Sequence, residues 1–387
     1  MSVSTSRPFS HTPAGPVLGG VGVASTVGTV AALAGRSRIA VLTDSSVRQA
    51  GLVDGVLASL GDRCVFVYDS IVADGDCAAI EQLAQRARDE HVDAVVSVGG
   101  GSVIDSAKGL LAVLATDKTL AALEGYRTIN AALLPHVAIP TTAGTGAEAT
   151  QFAVIKDRAA LTKRVFVDPV LIPSLAVLDP TLLVGLPAAV SSATAVDALT
   201  HALEAVASKL ANPIGTTLAT EAARLLLVDR ALARSLHNPN DLDARFDCLM
   251  AAHLAGQAVN TAMLGACHAL GHVVGAATGL PHGVANGLFI VAVLRENAEK
   301  AGAAYARLGR SLGIASAGDD VAALIAVVDD FVHGTAGIAR RLRDAAPALQ
   351  HDALEALAAA ALRDPDLPTN PVRFDAVRLL SVLQRQW

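Results

Sequence analysis

The apolar positions change rhythm near the middle of the chain. Up to about residue 185, short apolar runs alternate with longer segments in which apolar residues recur every three to four positions. Ile39–Leu42 reads as a strand ending at Thr43-Asp44, and Val47–Leu60 as the helix after it. Val65–Val67 is a second strand, and Ala78–Glu90 a helix carried by Ile80, Leu83, Ala84 and Ala87. Ala94–Val98 is a third strand, Gly99–Ser102 a break, Val103–Ala115 a helix and Val137–Pro140 a strand. Strands alternating with helices demand crossover connections, hence an α/β domain with a mostly parallel sheet covered on both faces. Such sheets bind ligands at the carboxyl ends of their strands.

Beyond Leu186-Pro187 the β-branched runs thin out and Ala and Leu dominate at helical spacing. Ala188–Ala207, Pro213–Ser235, Leu242–Ala266 and most of Ala298–Leu362 read as helices, which makes this half an all-α domain. Prolines and turn residues cluster at Asp179–Pro187, so the expected division is residues 1–183 and residues 184–387.

Composition sharpens this picture. At 387 residues the chain exceeds the roughly 250–300 residues at which one core stops growing, so two domains are expected. Hydrophobic residues make up 52% and charged residues 17%, which excludes disorder. Lys+Arg 30 against Asp+Glu 36 gives a net charge of -6 without a basic block, so nucleic acid is not an expected partner. The apolar run Gly283–Leu294 falls short of the ~18–20 residues of a membrane span. Cys64, Cys77, Cys248 and Cys267 are scattered, which fits a reducing cytoplasm. Arg7 followed by a mild apolar stretch to Ala32-Leu33-Ala34 imitates a targeting signal. Gly19, Gly20, Gly22 and Gly28 interrupt it, and a strand, a turn and a first helix are expected there instead.

Two groups of residues carry chemistry. Gly99, Gly100, Gly101 and Ser102 join a buried strand to a helix, where glycines permit positive φ and close ligand approach. The helix start behind them offers free N–H groups and partial positive charge for a pyrophosphate, and Ser102 is placed to cap the helix or to donate to phosphate. A plain tight turn is the alternative. The pattern is not G-x-G-x-x-G, and the acidic residue at a strand end, Asp44, precedes the glycines. Asp44 can accept from ribose hydroxyls and repel a 2′-phosphate, favouring NAD over NADP, or can cap the following helix. The polar loop Pro140–Glu148, with Thr141 and Thr142, also follows a strand.

The second group is Asp197-Ala-Leu-Thr-His201 and His268-Ala-Leu-Gly-His272, each spanning one helical turn, with His282 in a bent connection. Burying several imidazoles and a carboxylate unpaired is costly, and a divalent cation removes that cost. Aspartate with imidazoles and no cysteine suits Fe²⁺ or Zn²⁺ with a position open to a substrate oxygen.

Together these stretches resemble the iron-containing (group III) alcohol dehydrogenase family. The resemblance rests on GGGSVIDSAK (99–108), PTTAGTGAEAT (140–150), VDALTHALEA (196–205), CHALGHVVGAATGLPHGVAN (267–286) and the TNP at Thr369–Pro371. It implies a Rossmann-like, dehydroquinate-synthase-like nucleotide domain followed by a helical metal domain. It further implies Asp197, His201, His268 and His282 as metal ligands, and His272 as the unligated histidine near the substrate, for orientation or proton transfer. A helix-face hydrogen bond is the other role open to His272. Gly99, Gly100, Gly101, Ser102, Asp44, Thr141, Thr142 and Lys163 would sit at the cofactor, with Asp105 toward the nicotinamide. Ala147 departs from the serine usual in the family's GTGSE. The implied activity is hydride transfer between NAD(P) and a small primary alcohol or aldehyde, and the exposed apolar helices of such a domain suggest a homo-oligomer.

Three other readings compete. Maleylacetate reductases, which reduce an oxo-acid, share the fold but tend to replace the aspartate that this chain keeps at 197. Dehydroquinate-synthase-like lyases would show more Lys and Arg around the metal helices than the Ala and Leu found here. A metal-stabilised binding protein without turnover is the third.

Overall fold

The computed structural model describes residues 8–314 and 319–387. Its chain forms two compact units, one of residues 12–186 and the other of residues 187–387 together with residues 8–11 among those described.

In the first unit the strands are β1 (Val17–Gly19), β2 (Ile39–Leu42), β3 (Cys64–Tyr68), β4 (Ala94–Gly99), β5 (Gly125–Tyr126), β6 (His136–Pro140), β7 (Phe152–Asp157), β8 (Thr162–Val167) and β9 (Leu175–Leu178). Six form an all-parallel sheet in the order β1-β9-β6-β4-β2-β3. Every residue of β2, β4, β6 and β9 is buried, as interior strands of a sheet covered on both faces must be. The helices of this unit are α1 (Ser45–Gln49), α2 (Asp54–Leu60), α3 (Cys77–Asp89), α4 (Gly101–Thr116) and α5 (Leu120–Leu123). From β2 the chain steps to β3 on one side and then crosses to β4 on the other. This reversal makes the carboxyl ends of β2 and β4 the switch point where an open α/β sheet receives its ligand.

A second sheet, β5-β8-β7, has no counterpart in the sequence reading. β7 and β8 are an antiparallel hairpin whose turn carries Leu161 at φ 53 and 87% exposed. The expected helix over Val47–Leu60 is split into α1 and α2, because Gly51 turns left-handed at φ 72 and ends α1. Near the amino terminus, β1 is followed by 3-10 turns at Val23–Thr29 and Ala31–Leu33 rather than a first α-helix.

The second unit is helical: α6 (Ala188–Ala207), α7 (Pro213–Leu227), α8 (Ala231–His237), α9 (Leu242–Ala262), α10 (Ala266–Thr278), α11 (His282–Ser311), α12 (Asp320–Asp329), α13 (Leu342–Ala345), α14 (Leu354–Ala361) and α15 (Ala376–Gln386). α6 is its axis, buried from Ser191 to Ala207 except at Thr194, and packed against α7, α9 and α11. The expected helix Pro213–Ser235 breaks at Arg230 (φ 56), and Leu242–Ala266 ends early at Met263 (φ 59). Residues 315–318 of the expected helical stretch Ala298–Leu362 lie outside the described residues. His282, expected in a bent connection, is the first residue of α11, behind Pro281. Among the described residues, no helix is long and apolar enough to cross a membrane.

Candidate metal centre and nucleotide loop

In the helical unit, α6 points Asp197 and His201 from one face, one turn apart. α10 supplies His268 and α11 supplies His282. Around Asp197 Oδ1 stand His282 Nε2 at 3.4 Å, His268 Nε2 at 3.6 Å and His201 Nε2 at 3.9 Å. These separations are too long for good hydrogen bonds. The two shorter ones are close to the edge of a tetrahedron, about 3.4 Å, whose corners lie ~2.0–2.2 Å from a central cation, and the His201 separation is longer than that edge. Three imidazole nitrogens gathered around one carboxylate oxygen suit a divalent ion, and the donor atoms of Asp197, His201 and His268 all lie within 4.8 Å of one another. Burial alone would push the Asp197 carboxyl up, yet the His201, His282 and His268 imidazoles hold it well below the usual carboxylate range.

The surroundings fix these groups. Glu204, one further turn along α6, is a buried carboxylate that accepts three N–H donors. Its Oε2 takes His268 Nδ1 at 2.6 Å and Gly265 N at 3.0 Å, and its Oε1 takes Cys267 N at 2.8 Å. The His268 Nδ1 is thereby engaged, and its Nε2 faces Asp197. Asn286 donates from Nδ2 to Asp197 Oδ1 at 2.9 Å and lies 3.2 Å from both His268 Nε2 and His282 Nε2. Sequence reasoning missed both residues, although the helical period marks them: Glu204 is seven positions after Asp197, and Asn286 four after His282. His272 stands beside this group, its ring stacked on His282 with centroids 5.2 Å apart. Its Nδ1 is 2.9 Å from Asp364 Oδ2.

In the α/β unit, Gly99 ends β4, Gly100 is the N-cap of α4, and no side chain caps the helix. None of Gly99, Gly100 and Gly101 has positive φ, contrary to expectation. They are needed for close approach instead. A Cβ on Gly99 would meet Val103 Cγ2 at 2.5 Å, on Gly100 Thr142 Oγ1 at 3.2 Å, and on Gly101 Thr145 Oγ1 at 2.8 Å. The polar loop after β6 thus lies against the glycine turn, as the pairing of Gly99 with Pro140 dictates, and Thr141 N donates to Gly99 O. The uncapped first turn of α4 keeps N–H groups available to an anion.

Ser102 does not cap α4; its Oγ accepts from Asp74 N at 2.9 Å. Asp44 takes the capping role, Oδ1 accepting from Ser46 N and Val47 N at 2.9 Å each. Lys163 lies on β8 and pairs with Asp74 at 2.9 Å, so Asp74 links it to Ser102. Asp105 Oδ2 accepts from Val154 N at 3.0 Å, and burial pushes its carboxyl up to about 6. Lys108, fully buried and also missed, donates to Thr150 O, Thr150 Oγ1 and Phe152 O, pinning α4 to the start of β7. Ala147 packs with Ile104 and Ala138, so its methyl faces an apolar cluster.

The model of the iron-containing alcohol dehydrogenases matches residues 15–180, and that of the Fe-containing alcohol dehydrogenase family C-terminal region matches residues 191–387. The chain belongs to this family. It is similar to a probable alcohol dehydrogenase, EutG, of Salmonella typhimurium, with 36% identity over 94% of this chain and 91% of that one. An NAD-dependent methanol dehydrogenase of Bacillus methanolicus is 34% identical over 69% of this chain and 70% of its own. The solved structure of a 1,3-propanediol oxidoreductase superposes with a TM-score of 0.93 at 31% identity, covering 98% of this chain and all of that one. The protein is accordingly an oxidoreductase of the iron-type alcohol dehydrogenase class, using a nicotinamide dinucleotide and a metal ion.

Proposed function

We propose that this enzyme interconverts a small primary alcohol and its aldehyde with NAD and Fe²⁺. Asp197, His201, His268 and His282 hold the ion, and the glycine turn with Thr141 and Thr142 receives the dinucleotide. The observation that carries the reading is the set of three imidazole Nε2 atoms 3.4–3.9 Å from Asp197 Oδ1, without a cysteine among them. When bound, the cation supplies a Lewis acid for the substrate oxygen, and the nicotinamide accepts or returns the hydride.

The chain's own groups do the rest. Glu204 keeps His268 turned toward the ion, and Asn286 steadies Asp197. The first turn of α4 takes pyrophosphate oxygens on backbone N–H groups. Asp44 stands past the end of β2, beside β4 at the switch point, where its charge favours a free ribose hydroxyl over a 2′-phosphate. Asp105, in the second turn of α4, and Lys163, on β8, would serve the nicotinamide end of the dinucleotide. His272, the more accessible histidine of α10, takes or returns the alcohol proton. Zn²⁺ suits the same donors, and Fe²⁺ is the ion we propose from the family. Four free thiols, Cys64, Cys77, Cys248 and Cys267, support the cytoplasm. Exposed apolar side chains such as Val377 support a homo-oligomer.

A panel of primary alcohols with NAD⁺ and with NADP⁺, read by absorbance of the reduced cofactor, tests the proposal. Turnover with NAD⁺ that is lost on chelation and restored by Fe²⁺ is expected. Turnover indifferent to chelation, or confined to NADP⁺, contradicts it.

A further inference from the structure

α10 carries two histidines one turn apart, and each has its Nδ1 against a carboxylate. His268 is closed off, its side chain 1% exposed, whereas the His272 side chain is 30% exposed. The His272 ring makes an edge contact with His268, centroids 5.9 Å apart, and two closer contacts. One face stacks on His282 at an interplanar angle of 17°, and Nδ1 meets Asp364 Oδ2 at 2.9 Å. A second carboxylate, Asp366 Oδ2, lies 3.8 Å from the same nitrogen.

The segment that brings these carboxylates is itself anchored. Asp364 Oδ1 accepts from Asp366 N at 3.0 Å, which sets the direction of the carboxylate. Further along, Thr369 Oγ1 donates to Leu264 O, and Asn370 Oδ1 accepts from Ala266 N at 3.1 Å, both at the start of α10. Asn370 is held in turn by a reciprocal amide pair with Asn297. Residues 364–370 therefore form a strap tied to the same helix whose histidine they contact. The Asp364 side chain is 9% exposed. Burial opposes its charge, but the His272 hydrogen bond and charge, the Asp366 N–H and the His268 charge together outweigh burial and hold the carboxyl below its ordinary range.

We propose that Asp364 is a positioning residue that holds His272 as the tautomer protonated on Nδ1, leaving Nε2 unprotonated and able to accept the substrate's hydroxyl proton. The inference rests on reading His272 as the substrate-side histidine. A carboxylate acceptor on one ring nitrogen fixes both the proton and the ring orientation. A purely structural tie between α10 and the strap would need neither a charged acceptor nor a particular tautomer. Asp366, at the longer distance, is the secondary partner.

The test uses the full chain loaded with Zn²⁺, which is diamagnetic, and ¹⁵N-labelled histidine. The His272 signals are assigned by their loss in His272→Gln. Wild type is expected to show the proton on Nδ1. Asp364→Asn is expected to lose that preference and to lower kcat roughly ten-fold or more, with metal content, NADH affinity and the KM for alcohol little changed. Asp366→Asn is expected to leave the tautomer intact. A wild-type His272 protonated on Nε2 overturns the proposal whether or not the variants fold. So does an Asp364→Asn protein that keeps both tautomer and kcat, or one that loses metal along with activity. Full turnover in His272→Gln would instead defeat the reading of His272 itself, since the tautomer measurement does not depend on turnover.

Discussion

Glu204 Oε2 lies 2.6 Å from His268 Nδ1, and the same carboxylate closes two backbone N–H groups where α10 begins. All three partners are donors, so the site needs an acceptor with no proton of its own. Glu204→Gln presents an amide N–H₂ to at least one of them. Affinity for Zn²⁺, measured by competition with a chromophoric chelator, should fall by about 10–100-fold. An unchanged affinity would show that His268 does not depend on this carboxylate.

Gly101 faces Thr145, with a Cβ there only 2.8 Å from Thr145 Oγ1. Gly101→Ala must displace the loop that lies against the α4 amino terminus. NADH affinity, followed by fluorescence titration, should weaken by about an order of magnitude, equivalent to ~1.4 kcal/mol. Adding Thr145→Ala should recover part of that loss. Full affinity in the single variant would mean that the loop does not shape the cofactor site.

His136, 3% exposed, has its Nε2 2.8 Å from Ser97 Oγ and is driven down from 6.5 to about 3, first by burial and then by the Lys108 charge. A base whose folded-state pKa is depressed stabilises the fold above its unfolded value and loses that contribution as pH falls toward the folded one. Between about pH 6.5 and pH 3 this single site should cost up to ~1.4 kcal/mol of stability per pH unit. Urea melts in that window should show a shallower pH dependence for His136→Gln than for wild type. Equal slopes would show that His136 is not held neutral.

The helical period made much of the cluster of Asp197 and its neighbouring histidines legible. Asp197 and His201, and His268 and His272, are one turn apart, and buried helices keep such pairs on one face. The same period contains Glu204 and Asn286, whose importance emerges only when a second helix supplies their partners. Asp364 had no such signal, because 92 residues separate it from His272 and the strap between them follows no period.

The α/β unit shows a different limit. Its interior strands stand out because burial on both faces makes them continuously apolar. The β7–β8 hairpin does not, since Lys156, Asp157, Lys163 and Arg164 interrupt its alternation. At the glycine turn the residue type was readable and its cause was not. Small residues are required by Thr142 and Thr145, and strand register, not local sequence, brings that loop alongside. The helix breaks at Arg230 and Met263 were hidden for a related reason, since neither residue type favours the left-handed backbone it adopts.

The proposed chemistry requires Asp197, His201, His268 and His282 to share one divalent ion. Anomalous diffraction at the iron edge from crystals of the Fe²⁺-loaded protein tests it most directly. One strong peak is expected ~2.0–2.3 Å from Asp197 Oδ1 and from the Nε2 atoms of the three histidines. A peak at His272, Asp364 and Asp366 instead, or no peak within bonding distance of Asp197, would contradict it.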